Sequence, residues 1–150
     1  MRIGACDLQS LNAWAALRHE LWPDTSLSDH LMEAEAILKE PGQAVAFLAH
    51  DSQGAAIAFA EAALRHDYVN GCTTSPVAFL EGIYVRPAHR KQGIARLLCK
   101  AVEDWAIALG CAELASDAEI HNGISRSMHR AVGFEEMERV VYYRKILPPR

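Results

Sequence analysis

A mixed α/β sheet flanked by helices is the fold class this chain predicts, and two stretches predict it. From Val77 to Asp117 an apolar run, a basic turn, an amphipathic segment and a second apolar run follow one another. That is the order of a strand, a crossover helix and a parallel strand in a right-handed unit. Before it, two apolar runs at 44–50 and 55–65 flank Asp51-Ser52-Gln53-Gly54, a turn composition suited to an antiparallel hairpin. One sheet must therefore hold antiparallel and parallel pairs together. With 150 residues, 51% of them hydrophobic, the chain is long enough for one domain over 1–150 with its own core.

The elements follow in order. Residues 2–5 make a short first strand. Asp7 or Ser10 caps a helix carrying Leu11, Trp14, Leu17 and Leu21 at helical spacing, and Pro23 ends it. A second helix over 28–39 places Leu31, Ala34 and Leu38 on one face and stops at Pro41-Gly42. After the hairpin, the Asn70-Gly71 and Ser75-Pro76 pairs make 66–76 a loop of binding length. The strand at 77–86 leads into a helix over 93–109 with Ile94, Leu97, Leu98, Ala101, Val102, Trp105 and Leu109 in one stripe, ended by Gly110. A strand at 112–117, a short helix at 122–131 and one or two closing strands at 134–146 complete the chain.

Composition narrows the class. A net charge of −4 argues against a nucleic-acid partner, and Arg86 to Lys91 is the only dense basic cluster, too local for a duplex. Cys6, Cys72, Cys99 and Cys111 have neither disulfide-framework nor zinc spacing, no signal-peptide pattern is present, and no apolar run approaches membrane-spanning length. The expectation is a soluble, cytoplasmic protein without a metal.

The basic turn carries the chemistry. Arg90, Gly93 and Ala95 fit an Arg/Gln-x-x-Gly-x-Gly/Ala pattern, in which small residues bring backbone N–H groups against an anion at a helix N-terminus. A diphosphate is the expected ligand, as part of a coenzyme A thioester. Two carboxylates stand out near it. Strand alternation places Glu81 on the face of Val77, Phe79, Ile83 and Val85, where it needs a cation, either a structural partner or a substrate. Asp117 ends the next parallel strand, where it either caps the following helix or faces a ligand crevice outside the strand ends.

The succession of helical pair, hairpin, phosphate turn and crossover helix, closed by His129-Arg130-Ala131-Val132-Gly133-Phe134, resembles the GNAT superfamily of acetyl-coenzyme A dependent N-acetyltransferases over nearly the whole chain. Glu20-Leu21-Trp22-Pro23, the 65–72 segment, Phe79-Leu80-Glu81-Gly82-Ile83, Ala115-Ser116-Asp117 and Glu138-Arg139-Val140 resemble its aminoglycoside 6′-N-acetyltransferase branch. The resemblance implies a sheet whose parallel pair, 77–86 and 112–117, splays to admit acetyl-coenzyme A. It implies that Ile83, Tyr84 and Val85 run beside the pantetheine arm, with Ile83 and Val85 pairing to it. Arg90, Lys91, Gln92, Gly93, Ile94, Ala95 and Arg96 surround the pyrophosphate, and Asn122, equally readable as a helix N-cap, contacts the coenzyme. It further implies an aminoglycoside pocket lined by Trp22, Tyr68, Glu81, Asp117 and Glu138, and a homodimer to which strand 140–146 supplies an edge. On residues alone, Trp22 and Tyr68 also fit a core, and Glu138 an exposed edge.

An acidic pocket suits a polycationic sugar. Glu81 or Asp117, directly or through a water, is the candidate base that frees the amine for direct attack. Many members of the superfamily carry a tyrosine where this chain has His129, so the acid for the leaving thiolate lies open among His129, Tyr142, Tyr143 and none. Two other readings compete: an acetyltransferase for a polyamine, protein amine or other amino sugar, and a non-catalytic acyl-coenzyme A sensor.

Overall fold

The computed structural model describes all 150 residues. Five strands, β1 (Arg2–Ala5), β2 (Ala44–His50), β3 (Ala56–Arg65), β4 (Val77–Val85) and β5 (Leu114–Ser116), lie in that order in one sheet. The first four are antiparallel neighbours, and β5 runs parallel to β4. The mixed sheet is as expected.

Helices α1 (Leu11–Leu21) and α2 (Leu27–Leu38) pack on one face. Asp7 accepts from the Gln9 and Ser10 amides and so starts the short 3-10 turn leading into α1, while Ser26 accepts from the Asp29 amide and caps α2. Trp14, Leu17 and Ala34 meet Ala46, Leu48 and Phe59 there. On the other face α3 (Ile94–Ala108) lays Ile94, Leu98, Cys99 and Val102 over Ala49, Ile57, Ala58, Ala60, Ala62 and Leu80. Alanines at these strand positions let the helix approach closely. The buried stripe is rotated from the expected one: Leu97 and Leu109 are exposed, and Cys99 and Ala106 are buried in their stead. On α2 the core face likewise centres on His30 and Ala34, with Leu31 and Leu38 only half-buried.

Two expectations are corrected. Residues 134–146 form no strand, because no backbone amide or carbonyl beyond Phe134 finds a backbone partner in the chain and a strand requires a ladder. The uniform alternation expected along β4 also fails. Glu61 pairs with Gly82 and Ala62 with Leu80, so Glu81 is an extra residue in a β-bulge. A one-residue slip exchanges faces. Val77 and Phe79 therefore join a small cluster with Val69, Ile83 and Val85 pack towards α3, and Glu81 sits exposed between the two sets.

Candidate functional site

The bulge lies where the sheet opens. β5 pairs with β4 only at Ala78, Phe79 and Leu80, opposite Leu114, Ala115 and Ser116. Beyond Leu80 the two strands part, leaving a solvent-open cleft of about 180 Å³. Glu81, Gly82 and Ile83 form one wall, Ser116, Asp117 and Ala118 another, and Trp22 at the end of α1 a third. Asn122, the N-cap of α4 (Gly123–Ala131), and His129 within that helix also line it. Glu81 and Asp117 thus face one space.

Their surroundings differ. Both oxygens of Glu81 accept from Arg65, at 3.1 and 3.0 Å from Nη2, and Arg65 stacks 3.5 Å over the Phe79 ring. Exposed as it is, such a pair contributes about 0–1 kcal/mol and exchanges readily for another cation. Asp117 is exposed and has no hydrogen-bond or ion-pair partner in the chain. It is not a helix cap, because Asn122 accepts from the Ser125 amide at 3.0 Å and caps α4.

The open edge of β4 follows from its pairing. The Arg86 amide donates to Ile57 at 2.9 Å, so in an antiparallel ladder Tyr84 and Gly82 also direct their backbone groups to β3, and Val85 and Ile83 direct theirs away from it. Tyr84 differs from its neighbours in its side chain too, since its hydroxyl donates to Glu20 at 3.0 Å. Glu20 also holds Arg86, and these bonds keep its carboxyl below the ordinary range.

At the end of β4 the chain turns through Lys91 (φ 62°) and Gly93 (φ 81°), both left-handed, into α3. The backbone amides of Lys91, Gln92, Gly93, Ile94, Ala95 and Arg96 have no acceptor within the chain, and α3 has no side-chain cap. These free donors at the positive end of a 15-residue helix, beside the open β4 edge, fit a diphosphate with an extended arm. The guanidinium groups are tethered nearby, that of Arg90 to the Val85 carbonyl and that of Arg96 to the Ala131 carbonyl.

His129 lies half-buried in the cleft. Its Nδ1 donates to the Ser125 carbonyl at 2.7 Å and its Nε2 lies 2.8 Å from Ser116 Oγ, which donates to the Leu80 carbonyl at 3.2 Å. Tyr142 and Tyr143 stand exposed on the C-terminal segment, away from the cleft. Tyr68 and Glu138 do not line the cleft in the single chain either, and both are exposed. They belong to segments that meet each other, since Met137 packs so closely on Gly71 that a Cβ there would lie 2.6 Å from it. The 66–76 loop is pinned by Glu113, which accepts from the Thr74 hydroxyl and from the Thr73 and Thr74 amides at 3.0 and 2.8 Å, bonds that hold its carboxyl low.

The GNAT acetyltransferase family model matches residues 10–134. The chain belongs to the GNAT family. Among curated relatives, the aminoglycoside N(6′)-acetyltransferase type 1 of Serratia marcescens is 54% identical, covering 95% of this chain and 97% of its own. That of Salmonella typhimurium is 50% identical, covering 90% and 92%. The solved structure of AAC(6′)-Iy in complex with the bisubstrate analog CoA-S-monomethyl-acetylneamine is 46% identical and superposes with a TM-score of 0.92, covering 97% of this chain and 98% of that one. Within this GNAT chain the left-handed turn ahead of α3 and the splayed strand pair stand where its sequence predicts them. Unforeseen are the Arg65 partner of Glu81, the Ser116–His129 contact and a buried ion pair, Arg18 with Glu61, behind Trp22.

Proposed function

We propose that this chain transfers the acetyl group of acetyl-coenzyme A to the 6′-amine of aminoglycosides, and so confers resistance to them. One observation carries the reading: Glu81 on β4 and Asp117 just past β5 face a single cleft beside a turn with six unused amides. Acetyl-coenzyme A supplies the activated acyl group. The Lys91 to Arg96 amides hold its diphosphate, and the outward backbone groups of Ile83 and the outward N–H of Val85 hold its arm. The acceptor arrives as an ammonium, and freeing its amine at pH 7 costs about 4–5 kcal/mol if its pKa is that of lysine, ~10.4.

Glu81 binds the ammonium in exchange for Arg65. Asp117, without a partner, takes the proton. His129, hydrogen-bonded through Ser116 to the cleft wall, is the group placed to return a proton to the departing sulfur. The decisive test mixes the purified chain with acetyl-coenzyme A and kanamycin and follows thiol release. Release that depends on kanamycin is expected; release with spermidine alone would move the acceptor to polyamines, and tight coenzyme binding without release from any amine would make the chain a sensor.

We also propose a cytoplasmic homodimer. No helix is long and apolar enough to cross a membrane, and the four cysteines are free thiols. Val141, Tyr142, Tyr143, Ile146 and Leu147 are exposed on a segment without ladder partners, an apolar edge suited to a second copy. Such pairing is a means of bringing Tyr68 and Glu138 to a cleft. Light scattering on a sizing column is expected to give twice the chain mass; a monomer at micromolar concentration would refute the pairing.

A further inference from the structure

We infer that Gly82, together with a buried Arg18–His30–Glu61 network, sets the position of Trp22 and thereby the affinity of the site for its acceptor. The inference rests on the acceptor site proposed above.

The network is placed behind the cleft, not in it. Arg18, His30 and Glu61 are 5%, 1% and 4% exposed. Burying two such charges costs several kcal/mol per ion before their attraction is counted, so the arrangement is an expensive way to fill a core. Its members are nonetheless joined by hydrogen bonds. Glu61 accepts from Trp14 Nε1 at 2.8 Å and from Arg18, whose other terminal nitrogen reaches Glu33. Arg18 Nε donates to His30 Nδ1 at 3.2 Å. Because a guanidinium only donates, Nδ1 is the bare nitrogen and Nε2 carries the proton, which it gives to the Trp22 carbonyl at 2.9 Å.

Trp22 is thus held from behind by the network. Its backbone is held by His30, its ring lies nearly parallel to the imidazole (20°, centroids 6.3 Å apart), and the Arg18 guanidinium sits 5.1 Å from its centroid. Phe59 closes one edge. The outer edge of the indole rests on Gly82, where a Cβ would lie 2.5 Å from Cη2 and 2.6 Å from Cζ2. Gly82 is itself paired with Glu61 across the ladder and follows the bulge at Glu81. The same ion pair therefore anchors the aromatic wall and the strand carrying the carboxylate opposite it. Gly82 has no left-handed φ, so a methyl group there strains no backbone and acts by moving the indole.

Kinetics of Gly82→Ala, with Trp22→Phe and the double variant, test this. In Gly82→Ala the KM for kanamycin is expected to rise about tenfold, which is about 1.4 kcal/mol, with the KM for acetyl-coenzyme A within about twofold of wild type. Trp22→Phe removes the ring that the methyl meets, so the two changes together should raise the kanamycin KM by less than the product of their separate effects. An unchanged kanamycin KM, parallel rises in both KM values, or independent effects of the two substitutions would overturn the inference. The indole N–H resonance of Trp22, read by NMR without any acceptor, keeps the test separate from the proposed activity. It should shift in Gly82→Ala and in His30→Gln, and an unmoved resonance in both would also refute the positioning role. Absence of thiol release from the wild-type protein, by contrast, would refute the activity.

Discussion

Asp117→Asn is expected to lower kcat by about a hundredfold or more, the scale of a lost general base, while changing the acceptor KM far less. The reason begins with strand length. β5 ends at Ser116, so the next residue leaves the ladder with its carboxylate in the cleft and without a partner. A carboxylate that binds an ammonium also stabilises its protonated form, so one group that both binds and deprotonates works against itself. The proposed division of tasks avoids this: Glu81 already holds a cation, and Asp117 holds none. Asparagine keeps the shape and polarity of the side chain but cannot accept the ammonium proton. Glu81→Gln is the contrasting variant, expected to raise the acceptor KM with a smaller loss of kcat. Steady-state thiol release on both sides of neutrality measures both. Full turnover in Asp117→Asn with loss of kcat in Glu81→Gln would reverse the assignment.

How far the site can be read from sequence is best seen in its glutamates. A carboxylate inside an apolar run must be buried and paired, or displaced from the run. For Glu81 the alternation argument points to burial, yet the bulge moves it out to solvent and to Arg65. The buried carboxylate is instead Glu61, in the equally apolar β3, and its cation comes from α1. Periodicity assumes an uninterrupted register, and a bulge is settled by pairing with a neighbouring strand that the local pattern does not describe. The phosphate turn is legible for the opposite reason. Small residues, left-handed backbone and a helix start all act within a few positions. The Arg18–His30–Glu61 network joins residues 12 and 43 positions apart, and only the packing of two helices on the sheet brings them together. The C-terminal segment is apolar enough to read as a strand, yet none of its backbone groups pairs with the sheet of its own chain, and no local pattern reports which edge a strand will find.

Arg18→Met should be the most destabilising of the single substitutions considered, at about 3–5 kcal/mol, because it leaves Glu61 buried without its counter-charge. Methionine matches much of the arginine stem, so the loss is electrostatic before it is steric. In the native chain burial pushes the Glu61 carboxyl up, while Arg18 and the Trp14 indole N–H pull it down. Without Arg18 only the indole opposes burial, so the folded variant holds the Glu61 proton to a higher pH than the unfolded chain does. Its deficit relative to wild type is then largest above that folded-state pKa and shrinks as pH falls towards the ordinary glutamate range. Arg18→Met/Glu61→Gln should recover most of the loss at neutral pH, since an amide oxygen still accepts from Trp14 and carries no charge. Urea unfolding at neutral and mildly acidic pH measures all three proteins through the midpoint at constant slope. A single variant within about 1 kcal/mol of wild type, the scale of an exposed pair, would show that Glu61 is reached by water and that the Arg18 pair is not what holds the wall behind Trp22.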